Sequence, residues 1–433
     1  MSTRIVLGKA TRIEGNANIY IEVEDGRVQA ARFMVPDFRG FEKILQGCPV
    51  EQAPTMISRV CGLCSAAHQV ASIDAIEKAL GFEPTPGLVA LREIVVLGEW
   101  IASHALSYFF LAMPDLVDAP GGIIELARTH PDAVREAFAL RDAGQRIVRA
   151  IGKRAMHPVS LAIGRFLIAP SQDDLDEVRR SARDVETRSR RLILETLETG
   201  TRRERIAPPA GQQVNLLVHE NGSSDAAFTV YGRDGSALLS FAREEFEDNV
   251  AELRTEWTRS KFPYLAQLGF PAGIMLVGPL ARTYGRDGIL LDREIVALGV
   301  PARLENRGDL ALDDVDFCRL VEIFWAARRI EKHLDGLNLE ALSADGNLSG
   351  SGQGLGVLEA PRGVLVHSYL VDRGRVERLR LLVATQFNNA FINLLLHDLA
   401  ERHIERDRVS PEGEQIIGRS IRIFDPCLSC ATH

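Results

Sequence analysis

The chain has 433 residues, 46% hydrophobic and 25% charged: ordinary globular composition, long enough for one large core or for two or three domains. A formal net charge of −8, with no Lys/Arg tract, argues against a nucleic-acid partner. Six cysteines, four of them in close pairs, are too few for a disulfide scaffold in a chain of this length and suit a reducing compartment.

The opening residues, Met1 to Leu7, lack the apolar core of a signal peptide, so no export signal is expected. Residues 4–34 read as a β-meander: Ile19, Ile21 and Val23 alternate with polar residues, and Asp25-Gly26 is a hairpin turn before Val28 to Met34. A loop at Thr11 to Asn16 interrupts it. Residues 65–80 read as a helix with Val70, Ile73, Ile76 and Leu80 on one face and Gly81 as its stop. From Pro86 to Met113 apolar residues are too dense for a surface stripe, which predicts a buried central helix. Its Ile94–Met113 portion comes nearest to a membrane span, but Glu99, Ser103, His104 and Ser107 interrupt it, and no transmembrane segment is expected.

Helices are predicted over 131–151 and 171–199, the second with a run of mixed charges, Arg179 to Arg191, read as a solvated face with local ion pairs. Residues 205–242 turn β-rich, with strands at Val214 to Val218 and Ala227 to Tyr231 and turns at Asn221-Gly222 and Arg233-Asp234-Gly235. Helical patterning resumes over Glu244 to Ser260, Asp314 to Leu334 and Ala390 to His403. The run Gly350 to Gly356 reads as a glycine-rich loop. No Gly-Lys-Ser/Thr follows it and the next residues suggest a strand, so a nucleotide-binding role is not supported. No Pro/Ser-rich linker divides the chain, which is read as one large unit, 1–433.

Two Cys-x-x-Cys stretches carry the chemistry, Cys61-Gly62-Leu63-Cys64 and Cys427-Leu428-Ser429-Cys430. A two-residue spacer lets both sulfurs face one side of a turn, and thiolates favour soft metals. With 362 residues between the pairs, where a zinc ribbon has roughly 15–20, a small structural zinc module is excluded. Spacing alone leaves a shared four-thiolate site open on one side and, together on the other, two independent thiol pairs or a redox disulfide.

Further motifs stand in the same order along the chain: Arg12-Ile13-Glu14-Gly15, Arg59 to Cys64 with His68, Gly152 to Pro158, Glu359-Ala360-Pro361-Arg362-Gly363, and Asp425 to His433. Together they resemble the large, catalytic subunit of nickel-iron hydrogenases, from residue 4 to the last residue, and within that family the soluble, cytoplasmic, cofactor-coupled group. The resemblance implies a mainly α fold with peripheral β-structure (α+β), a long central helix bundle, and a site where both terminal segments meet. It makes Cys61 and Cys427 terminal nickel ligands, and Cys64 and Cys430 bridges from nickel to an iron carrying carbonyl and cyanide.

By the same resemblance, heterolytic H2 cleavage delivers a proton to Cys427 and then to Glu14, whose carboxyl is expected in a dry interior. The family's usual histidine after the next glycine is Asn16 here. Arg362 is implied as an electrostatic group above the metals, held by Asp425, with Pro361 lining the pocket, Thr385 supporting a cyanide and His68 donating to a bridging thiolate. A second acidic residue usual near the arginine is replaced by Ser103, which predicts weaker anchoring. Glu42, His433 and a backbone carbonyl near Leu381 would hold magnesium or a similar ion. Cys48 and Cys318 match no ligand motif and are read as buried small hydrophobes, His157 as structural.

Implied partners are an iron-sulfur small subunit, further electron-transfer subunits, maturation proteins, and an endopeptidase that trims the chain after its histidine, making the sequence ending at His433 the mature form. The alternatives are an H2-sensing subunit with little turnover and a metal-free scaffold of the respiratory-complex type.

Overall fold

A computed structural model describes the chain apart from residues 1–2, 200–204, 220–226, 285–288, 291, 306–310, 340–341 and 406–407. The Pro86–Leu106 helix is central. Thr85 caps its start and Pro86 takes the first position, where a missing N–H costs nothing. Leu91, Ile94, Val95 and Ile101 are fully buried, because the helix packs against both Pro131–Gly152 and Val315–Asp335, and Gln172–Thr199 closes a four-helix bundle over those two. The continuous helical stretch Pro86–Leu116 is long and apolar enough to cross a membrane, but 72% of its most apolar window is buried inside the fold, as expected for a core helix.

Close crossing with Pro131–Gly152 depends on two glycines. A Cβ on Gly144 would lie 2.6 Å from both the Gly98 carbonyl oxygen and the Ala102 nitrogen. Past Leu106 the helix widens into a π-helical turn, Ser107–Ala112, before Met113–Leu116. The charge run on Gln172–Thr199 does more than pair locally: Arg183 reaches Glu331 and Arg188 reaches Glu136, on the two helices it covers. Exposed or only half-buried, such pairs contribute about 1 kcal/mol or less each.

The N-terminal meander forms as expected from Thr3–Lys9, Asn18–Glu24 and Arg27–Met34, paired in that order, with Asp25 (φ 49°) and Gly26 (φ 73°) both left-handed in the hairpin turn. Asn215–His219, Ala227–Tyr231 and Ala237–Ala242 form a second sheet, extended by Met275–Leu276. The expected Asn221-Gly222 turn lies outside the described residues.

Two expectations are overturned. The predicted Glu244–Ser260 helix is one short helical stretch ending at Asn249; Val250–Leu253 then pairs antiparallel with Phe262–Leu265, so strand pairing overrides the helical pattern. The glycine-rich loop is instead the start of a strand, Gly352–Ala360, in a sheet with Gly363–Asp372 and Arg375–Leu382.

Its glycines have a packing reason. A Cβ on Gly352, Gly354 or Gly356 would lie 2.0–2.1 Å from the carbonyl oxygen of Ala79, Ala75 or Ala71 respectively, on the Ser65–Leu80 helix. Alternate strand residues repeat every ~6.6 Å and every fourth helix residue every ~6 Å, so three glycines and three alanines stay in step. The helix that follows Cys64 is thereby seated against the sheet leading to Arg362. Gly354→Ala is expected to cost about 2–3 kcal/mol, read as a lower melting temperature in thermal unfolding.

Candidate metal centre

Each Cys-x-x-Cys is a turn into a helix: Cys64 is the residue before Ser65–Leu80, and Cys427 the residue before Leu428–Ala431. The fold brings the two turns together. Cys61 Sγ lies 3.2 Å from Cys427 Sγ, Cys64 Sγ 3.0 Å from Cys430 Sγ, and Cys427 Sγ 3.0 Å from Cys430 Sγ. All four sulfurs are buried and lie within 4.8 Å of one another. A disulfide needs about 2.05 Å, and all six cysteines stand as free thiols.

The sulfurs fit a thiophilic metal. A tetrahedral ion with ~2.3 Å bonds separates its sulfurs by about 3.8 Å, inside the observed range. Hydrogen bonds from Cys427, Cys430 and Cys64 hold the Cys61 thiol well below its ordinary range. Sharing with Cys427 and Cys430 together with burial pushes Cys64 up, sharing with Cys430 and Cys61 pushes Cys427 up, and burial pushes Cys430 up to about 11. The array cannot carry four charges without a cation, so loading a metal releases protons.

Above the sulfurs sits Arg362. Its Nη2 lies 3.0 and 2.9 Å from the two carboxylate oxygens of Asp425, its Nε donates to the Asp425 carbonyl at 2.7 Å, and its Nη1 donates to Ser103 Oγ at 3.3 Å. The expected weak anchoring is therefore corrected: Asp425 holds the guanidinium through side chain and backbone at once, and Ser103 adds a neutral acceptor. Burial works against the charge, but Asp425 and the cysteine sulfurs outweigh it and keep Arg362 protonated. Pro361, Arg362, Thr385 and His68 line one cavity with Cys64, Cys427 and Cys430. Thr385 Oγ1 accepts from the Cys427 N–H at 3.0 Å, and His68 Nε2 lies 3.4 Å from Cys430 Sγ.

Glu14 closes the other side. Its backbone pairs in parallel with Cys427, its carbonyl accepts from the Leu428 N–H, and its carboxylate accepts from Ser429 N–H, Ser429 Oγ–H and, at 3.2 Å, the Cys427 thiol. Gly15 is needed for this approach: it has φ 87°, and a Cβ there would meet Leu428 Cβ at 2.8 Å. Contrary to the expected dry interior, Glu14 is half-buried, and Gly15 and Asn16 beside it are exposed.

The sequence profile of the family described as nickel-dependent hydrogenase matches residues 39–139 and 316–433, and a profile described as HoxL-like matches residues 4–38. A relative from Methanothermobacter marburgensis, one subunit of an F420-non-reducing hydrogenase, is 31% identical over 99% of this chain and 94% of its own length. The chain belongs to the nickel-dependent hydrogenase family. It is a large subunit of that family, an oxidoreductase acting on H2. The NAD-reducing hydrogenase HoxS subunit beta of Cupriavidus necator is 29% identical, covering 100% of this chain and 95% of that one. A solved NAD+-reducing [NiFe]-hydrogenase in the H2-reduced state matches with TM-score 0.85 and 28% identity, over 100% of this chain and 99% of that one. The Ni-Fe-Se hydrogenase of D. vulgaris Hildenborough, 22% identical with TM-score 0.82 and all of both chains covered, shares the fold.

In this hydrogenase subunit Glu42 and His433 also meet, with Glu42 Oε1 3.4 Å from His433 Nε2. His433 Nδ1 is 2.8 Å from the Cys430 carbonyl, which ties the ring to the second cysteine turn. Burial favours the neutral acid, but contacts with His433 and Lys261 bring Glu42 down to about 2. Where a Leu381 carbonyl ligand was expected, it is the Leu381 N–H that touches Glu42, at 2.9 Å, and Lys261 Nζ lies 3.4 Å from the same carboxylate. Glu42 and His433 fit a hard divalent ion; Lys261 is a competing cation beside them.

Cys318 is buried as expected, whereas Cys48 is half-buried, its sulfur 3.4 Å from Met56 Sδ. His157 stays out of the cavity. Its N–H donates to Ser65 Oγ and its Nδ1 lies 3.0 Å from the Ser58 carbonyl, which braces the first cysteine turn.

Three supporting residues escaped the sequence reading. His367 Nε2 lies 3.0 Å from His68 Nδ1; no periodicity distinguished it from a packed strand residue. Arg282 donates to the Ala360 and Pro361 carbonyls while pairing with Glu322 and Glu359 and stacking 4.1 Å over Trp100, so it braces the turn before Arg362. Glu99 accepts from the Ala66 and Ala67 N–H groups, and burial pushes its carboxyl up to about 8 despite them. An ionisable residue inside an apolar helix was its available signal. Thr385→Val, which strips the Cys427 amide of its acceptor, is expected to cost about 1–3 kcal/mol in thermal unfolding and to lower the nickel-to-protein ratio.

Proposed function

We propose that this chain performs reversible oxidation of H2 to protons and electrons, with Cys61, Cys64, Cys427 and Cys430 holding a nickel-iron centre whose iron carries carbonyl and cyanide. The observation that carries the reading is the grouping of the sulfurs across 366 positions, Cys61 with Cys427 and Cys64 with Cys430. In this reading Cys61 and Cys427 are the terminal nickel ligands and Cys64 and Cys430 the bridging pair. When bound, the centre supplies soft donors and an open position at which H2 is cleaved heterolytically.

Cys427 takes the proton and hands it from Sγ to Glu14 Oε2 across 3.2 Å, a distance suited to direct transfer. Ser429 orients that carboxylate through its N–H and hydroxyl, and the exposed neighbours Gly15 and Asn16 open Glu14 to solvent. Arg362 acts by its fixed charge and its donors, since a guanidinium does not release its proton. With its oxygen occupied by the Cys427 amide, Thr385 still has a hydroxyl proton to donate to a cyanide. His68 tunes the Cys430 thiolate, Pro361 lines the pocket, and Glu42 and His433 bind magnesium.

Electrons leave through an iron-sulfur small subunit, because the two remaining cysteines, Cys48 and Cys318, are too few to hold a cluster. Exposed Gly62, inside the first cysteine turn and beside the exposed Met156, offers a docking face near Cys61. Further electron-transfer subunits set the acceptor; relatives named as F420-non-reducing and NAD-reducing hydrogenase subunits favour a soluble acceptor and a cytoplasmic complex. Maturation proteins and a C-terminal endopeptidase complete the partner set. Four intact, converging cysteines speak against a metal-free scaffold.

The purified complex is expected to show carbonyl and cyanide infrared bands, and Cys427→Ser to lose nickel together with H2-dependent dye reduction. Full activity without nickel would sink the assignment. Glu14→Gln is expected to slow H2/D2O exchange by about 10²-fold or more with infrared bands and nickel content retained; unchanged exchange removes Glu14 from the relay.

A further inference from the structure

The residue that starts the Ser65–Leu80 helix is Cys64, and its side chain gives that helix no hydrogen bond. A residue in this position normally turns its own side chain back to accept from the second and third amides of the helix. Here the side chain is a thiol turned toward Cys430, and the second and third amides, Ala66 and Ala67, go elsewhere. Glu99 accepts them from the neighbouring Pro86–Leu106 helix: Ala66 N–H at 2.8 Å on Oε1, and Ala67 N–H at 3.0 Å on Oε2. Each carboxyl oxygen serves one amide, and all three residues are buried.

A parallel arrangement stands on the opposite side of the sulfurs. The short helix after Cys427 gives its Ser429 amide to the Glu14 carboxylate, again a carboxylate distant in sequence. The two cysteine turns are thus each followed by a helix whose first amides are held by a glutamate from another segment.

We propose that Glu99 is a positioning residue for the metal centre: by capping the Ser65–Leu80 helix from outside, it leaves the Cys64 sulfur free to ligate metal. Without it, the Ala66 and Ala67 amides lose their acceptors, and the Cys64 side chain, at the position that ordinarily caps a helix, is drawn toward them and away from the metal. The role assigned to Cys64 rests on the nickel-iron reading above; the capping contact itself does not.

The test is hydrogen exchange and infrared spectroscopy on the intact complex carrying Glu99→Gln. The amide side chain retains one acceptor oxygen and turns an NH2 group toward the other backbone donor. Exchange at Ala66 and Ala67 is expected to accelerate by about tenfold or more, with amides beyond Ile73 unchanged. The carbonyl and cyanide bands are expected to shift or broaden, and nickel to be lost faster to a chelator. Glu99→Asp, which keeps both oxygens but withdraws them by one methylene, is expected to give the same pattern more weakly and carries the test if the glutamine variant fails to assemble.

Unchanged exchange at both amides overturns the capping role. Faster exchange with unaltered bands and nickel retention overturns the positioning role. A wild-type complex without carbonyl and cyanide bands overturns the metal reading instead, and the exchange result tells that failure apart from failure of the cap.

Discussion

Everything in this structure depends on bringing four sulfurs from opposite ends of the chain to within 4.8 Å of one another. Closing a loop of 366 residues costs about 5 kcal/mol of chain entropy, and crowding four thiols into a buried pocket adds electrostatic cost. The opposing term is burial of the C-terminal segment as a strap. Ile421, Ile423 and Leu428 enter the same core cluster as Ile19, Ile21 and Phe33 of the N-terminal sheet. Backbone bonds then set its register: Leu428 N–H to the Glu14 carbonyl, and Arg39 N–H to the Thr432 carbonyl. Cys427 and Cys430 arrive at Cys61 and Cys64 because the strap beneath them is seated by that burial and held in register by those bonds.

A second constraint is that the surroundings of the site are polar inside an apolar core. Glu99, Ser103 and His104 come from one helix and face three different supports: the amides after Cys64, the guanidinium of Arg362, and Glu322. Arg282 sits between Glu322 and Glu359 and donates to two carbonyls of the turn before Arg362. Buried charges of this kind add little net stability, because desolvation offsets their attraction, but their geometry is demanding. What they contribute is the orientation of Arg362 and the cysteine turns, which chemistry at a metal requires.

Much of the helical framework was legible in residue order. The helix at Ser65–Leu80 and those near 131–152, 172–199 and 315–335 follow from apolar spacing with clear stops and caps, since a 3.6-residue period survives whatever the helix packs against. Two misreadings share one cause. Residues 250–253 became a strand because 262–265 lay beside them, and the glycines at 352, 354 and 356 were chosen by a helix 270 to 290 positions away, not by a turn. Local pattern carries no record of a neighbour remote in sequence.

The sequence by itself determined the helix framework, the two soft chelating pairs and, through the ordered set of motifs, the kind of chemistry they serve. Those properties belong to residue type and short-range spacing, which tertiary contacts do not alter. Only the tertiary structure decided that Cys61 meets Cys427 and Cys64 meets Cys430, that Asp425 holds Arg362 by both backbone and side chain, and that Glu99, His367 and Arg282 stand behind the site. Each of those is a hydrogen bond or contact between segments far apart in the chain, and hydrogen-bond directions exist only once both partners have been fixed in space.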